Sequence, residues 1–175
     1  MRGKGVILLT ILILSAIIFI GLRSYETSQV AKATVGLNAP DAILTDTAGN
    51  TYNISGLKGS VVFINFWASW CKPCREEMSS IQSLYNQFKD DKKLRMLMVI
   101  YRDDYEKALS YLKENNFQLP VLIDKDGKAA SAYGITGVPE TYIIDKKGVL
   151  KEKIIGPNDW ISTQSISLLS NLIKE

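Results

Sequence analysis

Histidine is absent from this 175-residue chain, and cysteine occurs only twice, as Cys71 and Cys74. With no imidazole and no third sulfur, the pair lacks the further ligands that a zinc centre needs. An excess of charge of one sign is also missing from most of the chain. The formal net charge is +3, but Arg2, Lys4 and Arg23 are the only charged side chains before Glu26, which leaves 18 basic against 18 acidic residues beyond them. A nucleic-acid-binding surface has no support in that balance. Repeats and low-complexity stretches are lacking as well. A content of 46% hydrophobic and 22% charged residues fits one globular domain with a proper core rather than a disordered chain.

What the amino terminus does carry is an apolar run. Eighteen residues from Gly5 to Leu22 contain no charge, close to the roughly 20 needed to cross a bilayer as a helix. Arg2 and Lys4 precede the run, so the positive-inside bias places the amino terminus in the cytoplasm and the remainder outside. A cleaved signal peptide is the competing reading, with Ala31-Lys32-Ala33 as its cleavage site. The run is longer than the h-region of about 7–15 residues that such peptides use. No cysteine follows it, which excludes a lipoprotein anchor. The expected organisation is a cytoplasmic tip and uncleaved transmembrane anchor over residues 1–23, a stalk over 24–35, and a domain over 36–175. Under either reading the domain is exported to where disulfides persist.

Within that domain, Ala42–Leu44 and Thr51–Asn53 flank Asp46-Thr47-Ala48-Gly49-Asn50 as a hairpin. Val61–Phe66 is apolar at nearly every position, the pattern of a strand buried on both faces. Met78, Ile81, Leu84, Tyr85 and Phe88 then repeat at helical spacing. Leu94–Ile100 reads as a second buried strand, and Asp103 or Asp104 caps a helix reaching Asn115 or Asn116. Val121–Ile123 forms a short strand, Lys128–Tyr133 a short helix, and Thr141–Ile144 with Val149–Ile155 a hairpin. A last helix from about Asn158 to Ile173 is expected to bury Ile161, Leu168, Leu169 and Leu172. Alternating strands and helices predict an α/β fold layered on a mixed sheet.

Trp70-Cys71-Lys72-Pro73-Cys74 falls between the first buried strand and the following helix. Residues i and i+3 share a face in a first helical turn, so the two thiols can meet and close a disulfide. Unpaired N–H groups and the dipole at the helix start favour a thiolate, Lys72 adds a cation, and Pro73 costs little where its missing N–H has no partner. A disulfide closing so short a loop would add little stability. A redox dithiol is therefore expected.

Three stretches carry a family resemblance: Asn65-Phe66-Trp67-Ala68-Ser69-Trp70-Cys71-Lys72-Pro73-Cys74, Val121-Leu122-Ile123-Asp124, and Gly137-Val138-Pro139-Glu140-Thr141-Tyr142-Ile143-Ile144-Asp145. Together they resemble the thioredoxin-like fold with an added amino-terminal β-hairpin, and in detail the membrane-anchored thiol–disulfide oxidoreductases of the ResA/TlpA/CcmG (DsbE) type. The resemblance implies that Cys71 is the exposed nucleophile and Cys74 the resolving thiol of a redox-active disulfide. It implies a cis Pro139 whose neighbouring backbone, at Val138, pairs with a bound substrate chain. Trp70 becomes part of the docking surface, Trp67 a core residue, and Lys72 and Pro73 tune the couple.

Asn65 stands where ordinary thioredoxins carry a buried aspartate, and an amide cannot take a proton at neutral pH. Glu77, three residues after Cys74 on one helical face, is the expected replacement, exchanging a proton with a cysteine thiol. Its bland alternative is a solvated first-turn glutamate, and Glu76 reads as a surface charge. The expected activity is reduction of disulfides in exported proteins, with apocytochrome c as the leading client and other envelope clients, such as those of spore-envelope assembly, as the alternative. A membrane thiol carrier of the CcdA type is the expected electron donor. No cofactor or metal is called for, and a monomer is expected. Rival readings are a net oxidant, a thiol peroxidase, and a tethered binding module with a structural cysteine pair. Against the peroxidase, Ala68 occupies the place of the threonine that peroxiredoxins carry three residues before their reactive cysteine.

Overall fold

The computed structural model describes residues 11–20 and 32–175. The chain divides into two compact units, Met1–Ala31 and Lys32–Glu175. In the first, residues 11–20 are helical (α1) and exposed throughout. The rest of the expected anchor lies outside the described residues, and among those described no helix is long and apolar enough to cross a membrane. Most of the expected stalk also lies outside them. Its end belongs to the second unit: Ala33 is buried, and its N–H donates to the Ala132 carbonyl at 3.3 Å.

The second unit is built on seven strands, β1 (Ile43–Asp46), β2 (Thr51–Asn53), β3 (Val61–Trp67), β4 (Leu94–Ile100), β5 (Val121–Ile123), β6 (Glu140–Ile144) and β7 (Leu150–Ile155). Their order across the sheet is β2-β1-β5-β4-β3-β6-β7. β3 runs parallel to β4 and antiparallel to β6, with Asn65 opposite Met98 on one side and Thr141 on the other. All seven residues of β3 are buried, which explains why it is apolar at every position but Asn65.

Helices α2 (Lys72–Phe88), α3 (Tyr105–Glu114), α4 (Lys128–Tyr133) and α5 (Thr163–Lys174) cover the sheet. Alternation along β3 divides the core in two. Phe63 and Trp67 pack with α2, α3 and α5, while Val62, Ile64 and Phe66 pack with α4 and β1. Asp104 is the residue that caps α3, accepting from Lys107 N–H at 3.1 Å.

The last helix differs from expectation. It starts at Thr163, because the Ser162 hydroxyl caps it by accepting from Ser165 N–H at 3.3 Å. Ile161 is consequently outside the helix and 54% exposed rather than buried. The residues before it form a loop whose backbone and side chains turn back onto α2.

Candidate active site

α2 begins directly below the turn that leaves β3, and Cys71 is its N-cap. The Cys71 Sγ accepts from Cys74 N–H at 3.1 Å. This is the contact that would hold a thiolate at the helix start when the pair is reduced. In this structure Cys71 and Cys74 are joined as a disulfide, with Cα atoms 5.3 Å apart. Cys74 is 0% exposed and Cys71 only 3%. The expectation of an openly exposed Cys71 is thus corrected. Its sulfur is bonded inward, and the Val138 carbonyl oxygen lies 3.4 Å from it. Of the two, Cys71 is still the one that solvent reaches.

The Val138–Pro139 peptide bond is cis. It ends the loop that enters β6 and brings the Val138 backbone opposite Cys71. Pro139 is buried and Val138 half-buried.

The turn before the cysteines is held by the loop between β4 and α3. Ser69 N–H donates to Asp103 Oδ2 at 2.6 Å, and Trp70 Nε1–H donates to the Arg102 carbonyl at 3.2 Å. Arg75 closes the turn from the helix side, donating through Nη1 to the Ser69 carbonyl at 2.9 Å. Trp70 is 58% exposed beside Cys71, while Trp67 is fully buried. Lys72 Nζ lies 3.8 Å from Glu76, both largely exposed, so its charge is shared with that carboxylate and the pair contributes little.

Glu77 is not a solvated first-turn residue; it is 4% exposed. Its Oε1 accepts from Asn65 Nδ2 at 2.9 Å, and its Oε2 accepts from Asn158 N–H and Trp160 Nε1–H, each at 3.0 Å. Burial pushes the carboxyl up from its ordinary value, and the three hydrogen bonds pull it partly back. A buried carboxyl whose acid form is favoured by desolvation, on the helix that carries both cysteines, is suited to holding or releasing a proton.

Trp160, Asn158 and Thr141 complete this site and were not anticipated from the sequence. Trp160 is 1% exposed and stands edge-on to Phe63 at 4.7 Å. A buried indole requires an acceptor for its N–H, and a tryptophan in a Pro-Asn-Asp-Trp segment with no apolar periodicity of its own was the available signal. Glu140, directly after Pro139, is also buried. It accepts from Thr136 N–H at 3.3 Å and Tyr142 O–H at 2.8 Å, and it pairs with Lys153 Nζ at 3.3 Å. Among the described residues, no cluster of acidic side chains and cysteines could hold a metal ion.

A sulfur–sulfur bond at a helix start can transfer electrons by thiol–disulfide exchange. The class this defines is the thioredoxin-like oxidoreductases. Comparison with known proteins agrees. The AhpC/TSA family matches residues 35–153. A thiol-disulfide oxidoreductase ResA of Bacillus cereus is 37% identical over 126 residues, 71% of this chain and 72% of its own. The thioredoxin-like protein YneN of Bacillus subtilis is 33% identical over 151 residues, 83% of this chain and 87% of its own. Among solved structures, a Chlorobium tepidum protein assigned as thiol:disulfide interchange protein DsbE superposes with a TM-score of 0.71 at 25% identity, covering 81% of this chain and 99% of that one. StoA of Bacillus subtilis shares the fold, with a TM-score of 0.62 at 23% identity over 78% of this chain and 98% of its own. The chain belongs to the AhpC/TSA family and, within it, to the ResA-type thiol–disulfide oxidoreductases, and it is a protein disulfide oxidoreductase working through Cys71 and Cys74.

Proposed function

We propose that the protein is a membrane-tethered reductase of disulfides in exported proteins, with its catalytic domain outside the cytoplasmic membrane and apocytochrome c as its favoured client. The observation that carries the reading is the approach of the Val138 carbonyl to Cys71 Sγ at 3.4 Å on the cis-Pro139 edge. A client chain laid along that edge brings its disulfide onto Cys71. The reduced Cys71 thiolate attacks one client sulfur, forming a mixed disulfide and releasing the other client thiolate. Cys74 then attacks the Cys71 sulfur, closing the enzyme disulfide and releasing the second client thiol. Electrons return from a membrane thiol carrier of the CcdA type. The uncharged run Gly5–Leu22 supports the tether, because client and donor both sit at the membrane.

A Cys74→Ser variant tests this reading, since it stops the reaction at the mixed disulfide. Apocytochrome c is expected on Cys71. Capture of other envelope proteins alone would replace the client while keeping the chemistry, and an absence of any disulfide-linked client would overturn the reductase reading. A reduction potential below about −200 mV is expected, whereas one far above it would indicate a net oxidant.

A further inference from the structure

The side-chain amide of Asn65 is fully buried, and its two ends are treated differently. Nδ2 donates to Glu77 Oε1 at 2.9 Å and to Thr141 Oγ1 at 2.8 Å. Oδ1, equally enclosed, has no hydrogen-bond partner among the described residues. An unpaired buried carbonyl oxygen is costly, and a fold that retains one needs a reason for it.

A carboxamide has a property that neither the aspartate of ordinary thioredoxins nor an aliphatic side chain shares. A half-turn about its terminal bond exchanges a two-donor end for an acceptor end at nearly the same positions. We propose that Asn65 is a two-position switch that follows the proton on Glu77. In the observed position its N–H₂ faces an ionised Glu77. In the turned position Oδ1 faces the same two neighbours, accepting from the Glu77 carboxylic O–H and from the Thr141 hydroxyl. Thr141 serves both, because a hydroxyl donates and accepts. The amide makes two hydrogen bonds either way, and the unpartnered end is oxygen in one position and N–H₂ in the other.

The surroundings leave this turn as the available response. Glu77 Oε2 faces Asn158 N–H and Trp160 Nε1–H, which only donate. A proton arriving on the carboxyl therefore settles on Oε1, the oxygen toward Asn65. Among the described residues, the hydrogen-bond partners of the carboxyl are all uncharged. β3 presents Asn65, β6 presents Thr141, the loop before α5 presents Asn158 and Trp160, and on α2 Cys71 and Cys74 are held as the disulfide. Lys72 and Glu76 pair in solvent. Glu140 and its partner Lys153 lie across the sheet with Tyr142, since residues 140 and 141 of a strand point to opposite faces.

The use of the switch rests on the reductase reading. When Cys74 attacks the mixed disulfide, its thiol proton passes to the Glu77 carboxylate, its sulfur bonds to the Cys71 sulfur, and the client thiolate leaves. Asn65 turns as carboxylate becomes acid, and turns back when Glu77 releases the proton to solvent or to the departing thiolate. Asn65 is thus a positioning residue: it keeps Glu77 in one place whether or not the proton is there.

NMR of the full oxidised chain, without any client, decides the matter. The Glu77 carboxyl carbon and the Asn65 side-chain N–H₂ are followed together across pH. The amide protons are expected to leave Glu77 and Thr141 at the same midpoint at which Glu77 gains its proton. The observed position taken alone lowers the Glu77 pKa, but the turned position bonds the acid form as well, so Asn65→Leu is expected to change the Glu77 acid constant by less than about threefold. Amide protons that stay on Glu77 and Thr141 on both sides of the midpoint would overturn the proposal. So would an Asn65→Leu variant in which Glu77 becomes more than about threefold weaker as an acid, the mark of a fixed donor. If that variant does not fold, the wild-type amide signals decide alone. Client trapping plays no part in this measurement, so a failure of the reductase reading is seen separately.

Discussion

Trp160 donates through its indole nitrogen to Glu77 Oε2 at 3.0 Å, joining residues 83 positions apart in the chain. The same ring packs edge-on against Phe63 of β3. One side chain therefore closes the core under the sheet and fixes the carboxyl behind the cysteines. Trp160→Phe separates the two contributions, because it keeps an aromatic ring on Phe63 and removes only the N–H. A hydrogen bond to a charged group contributes about 1.5–3 kcal/mol, and one to a neutral group nearer 1 kcal/mol. The variant is expected to lose about 2 kcal/mol where Glu77 is ionised and about half that where it is protonated. The Glu77 pKa should rise further, since a bond that lowers it is gone. Urea unfolding at two pH values and the Glu77 titration check both parts. A loss that is the same at the two pH values would count against the assignment.

Glu77 itself should leave a signature in the pH dependence of stability. Burial raises its pKa above the ordinary 4.5, so the folded chain holds this proton more tightly than the unfolded chain does. Its contribution to stability is then complete below about pH 4.5 and is lost as the pH rises through the folded pKa. Wild-type unfolding free energy, measured in urea on the oxidised chain, should carry that downward slope. Glu77→Gln should remove it, so that the difference between the two proteins changes across this window and is flat outside it. A difference that stays constant across the window would show that Glu77 titrates as an ordinary surface carboxyl.

Much of this site was legible because its parts are local in sequence. Cys71 and Cys74 announce themselves by spacing, β3 by apolar residues at every position but Asn65, and Pro139 by the stretch around it. The groups that complete the site come from far along the chain. Asn158 and Trp160 lie in a segment read as helix because Ile161, Leu168, Leu169 and Leu172 suggest one. The Ser162 cap delays that helix, and no periodicity argument reveals that a hydroxyl has taken over the first turn. The burial of Cys71 was illegible for a similar reason. The oxygen beside its sulfur belongs to the Val138 backbone, and hydropathy is silent about backbone.

Asp103 is a possible helix cap by sequence, but its role lies elsewhere. Asp104 caps α3, while Asp103 accepts from Ser69 N–H at 2.6 Å and also from Asp104 N–H at 2.8 Å. It ties the turn carrying Trp70 to the loop after β4. Asp103→Ala releases both donors at a half-exposed site where water replaces the carboxylate in part. A loss of about 1 kcal/mol is expected, below the usual range for charged hydrogen bonds because water takes up both donors in part. The functional effect should be larger than the stability effect suggests, because Trp70 and Cys71 ride on the freed turn. Thermal unfolding beside the rate of disulfide reduction by the reduced enzyme tests this. A rate equal to wild type would show that the turn holds its shape without Asp103.

Glu140 and Lys153 provide the sharpest contrast between removing a charge and unpairing one. Glu140 is 2% exposed, and three donors converge on its carboxylate: Thr136 N–H, Tyr142 O–H and Lys153 Nζ. Lys153 also lies over the Tyr142 ring, 5.2 Å from its centre. Lys153→Met keeps most of the apolar stem but leaves the carboxylate buried without its cation. Breaking a buried pair from one side costs about 3–5 kcal/mol. Lys153 is itself partly exposed at 26%, so solvent screens the pair and a loss of about 2–3 kcal/mol is expected. Glu140→Gln removes the buried charge yet retains an oxygen for Thr136 N–H or Tyr142 O–H, and should cost about 1 kcal/mol. The predicted order, Lys153→Met less stable than Glu140→Gln, reverses what counting lost hydrogen bonds would give, since the lysine variant loses one contact and the glutamine variant perturbs three. Client reduction should follow a different order. The bond from Thr136 N–H to Glu140 braces the loop that ends at Val138 and Pro139 and is weakened by the glutamine, so Glu140→Gln should slow attack on a protein disulfide more than Lys153→Met does. Denaturation midpoints and single-turnover reduction rates on the same variants measure the two orders, and identical rankings in both would show that Glu140 contributes stability alone.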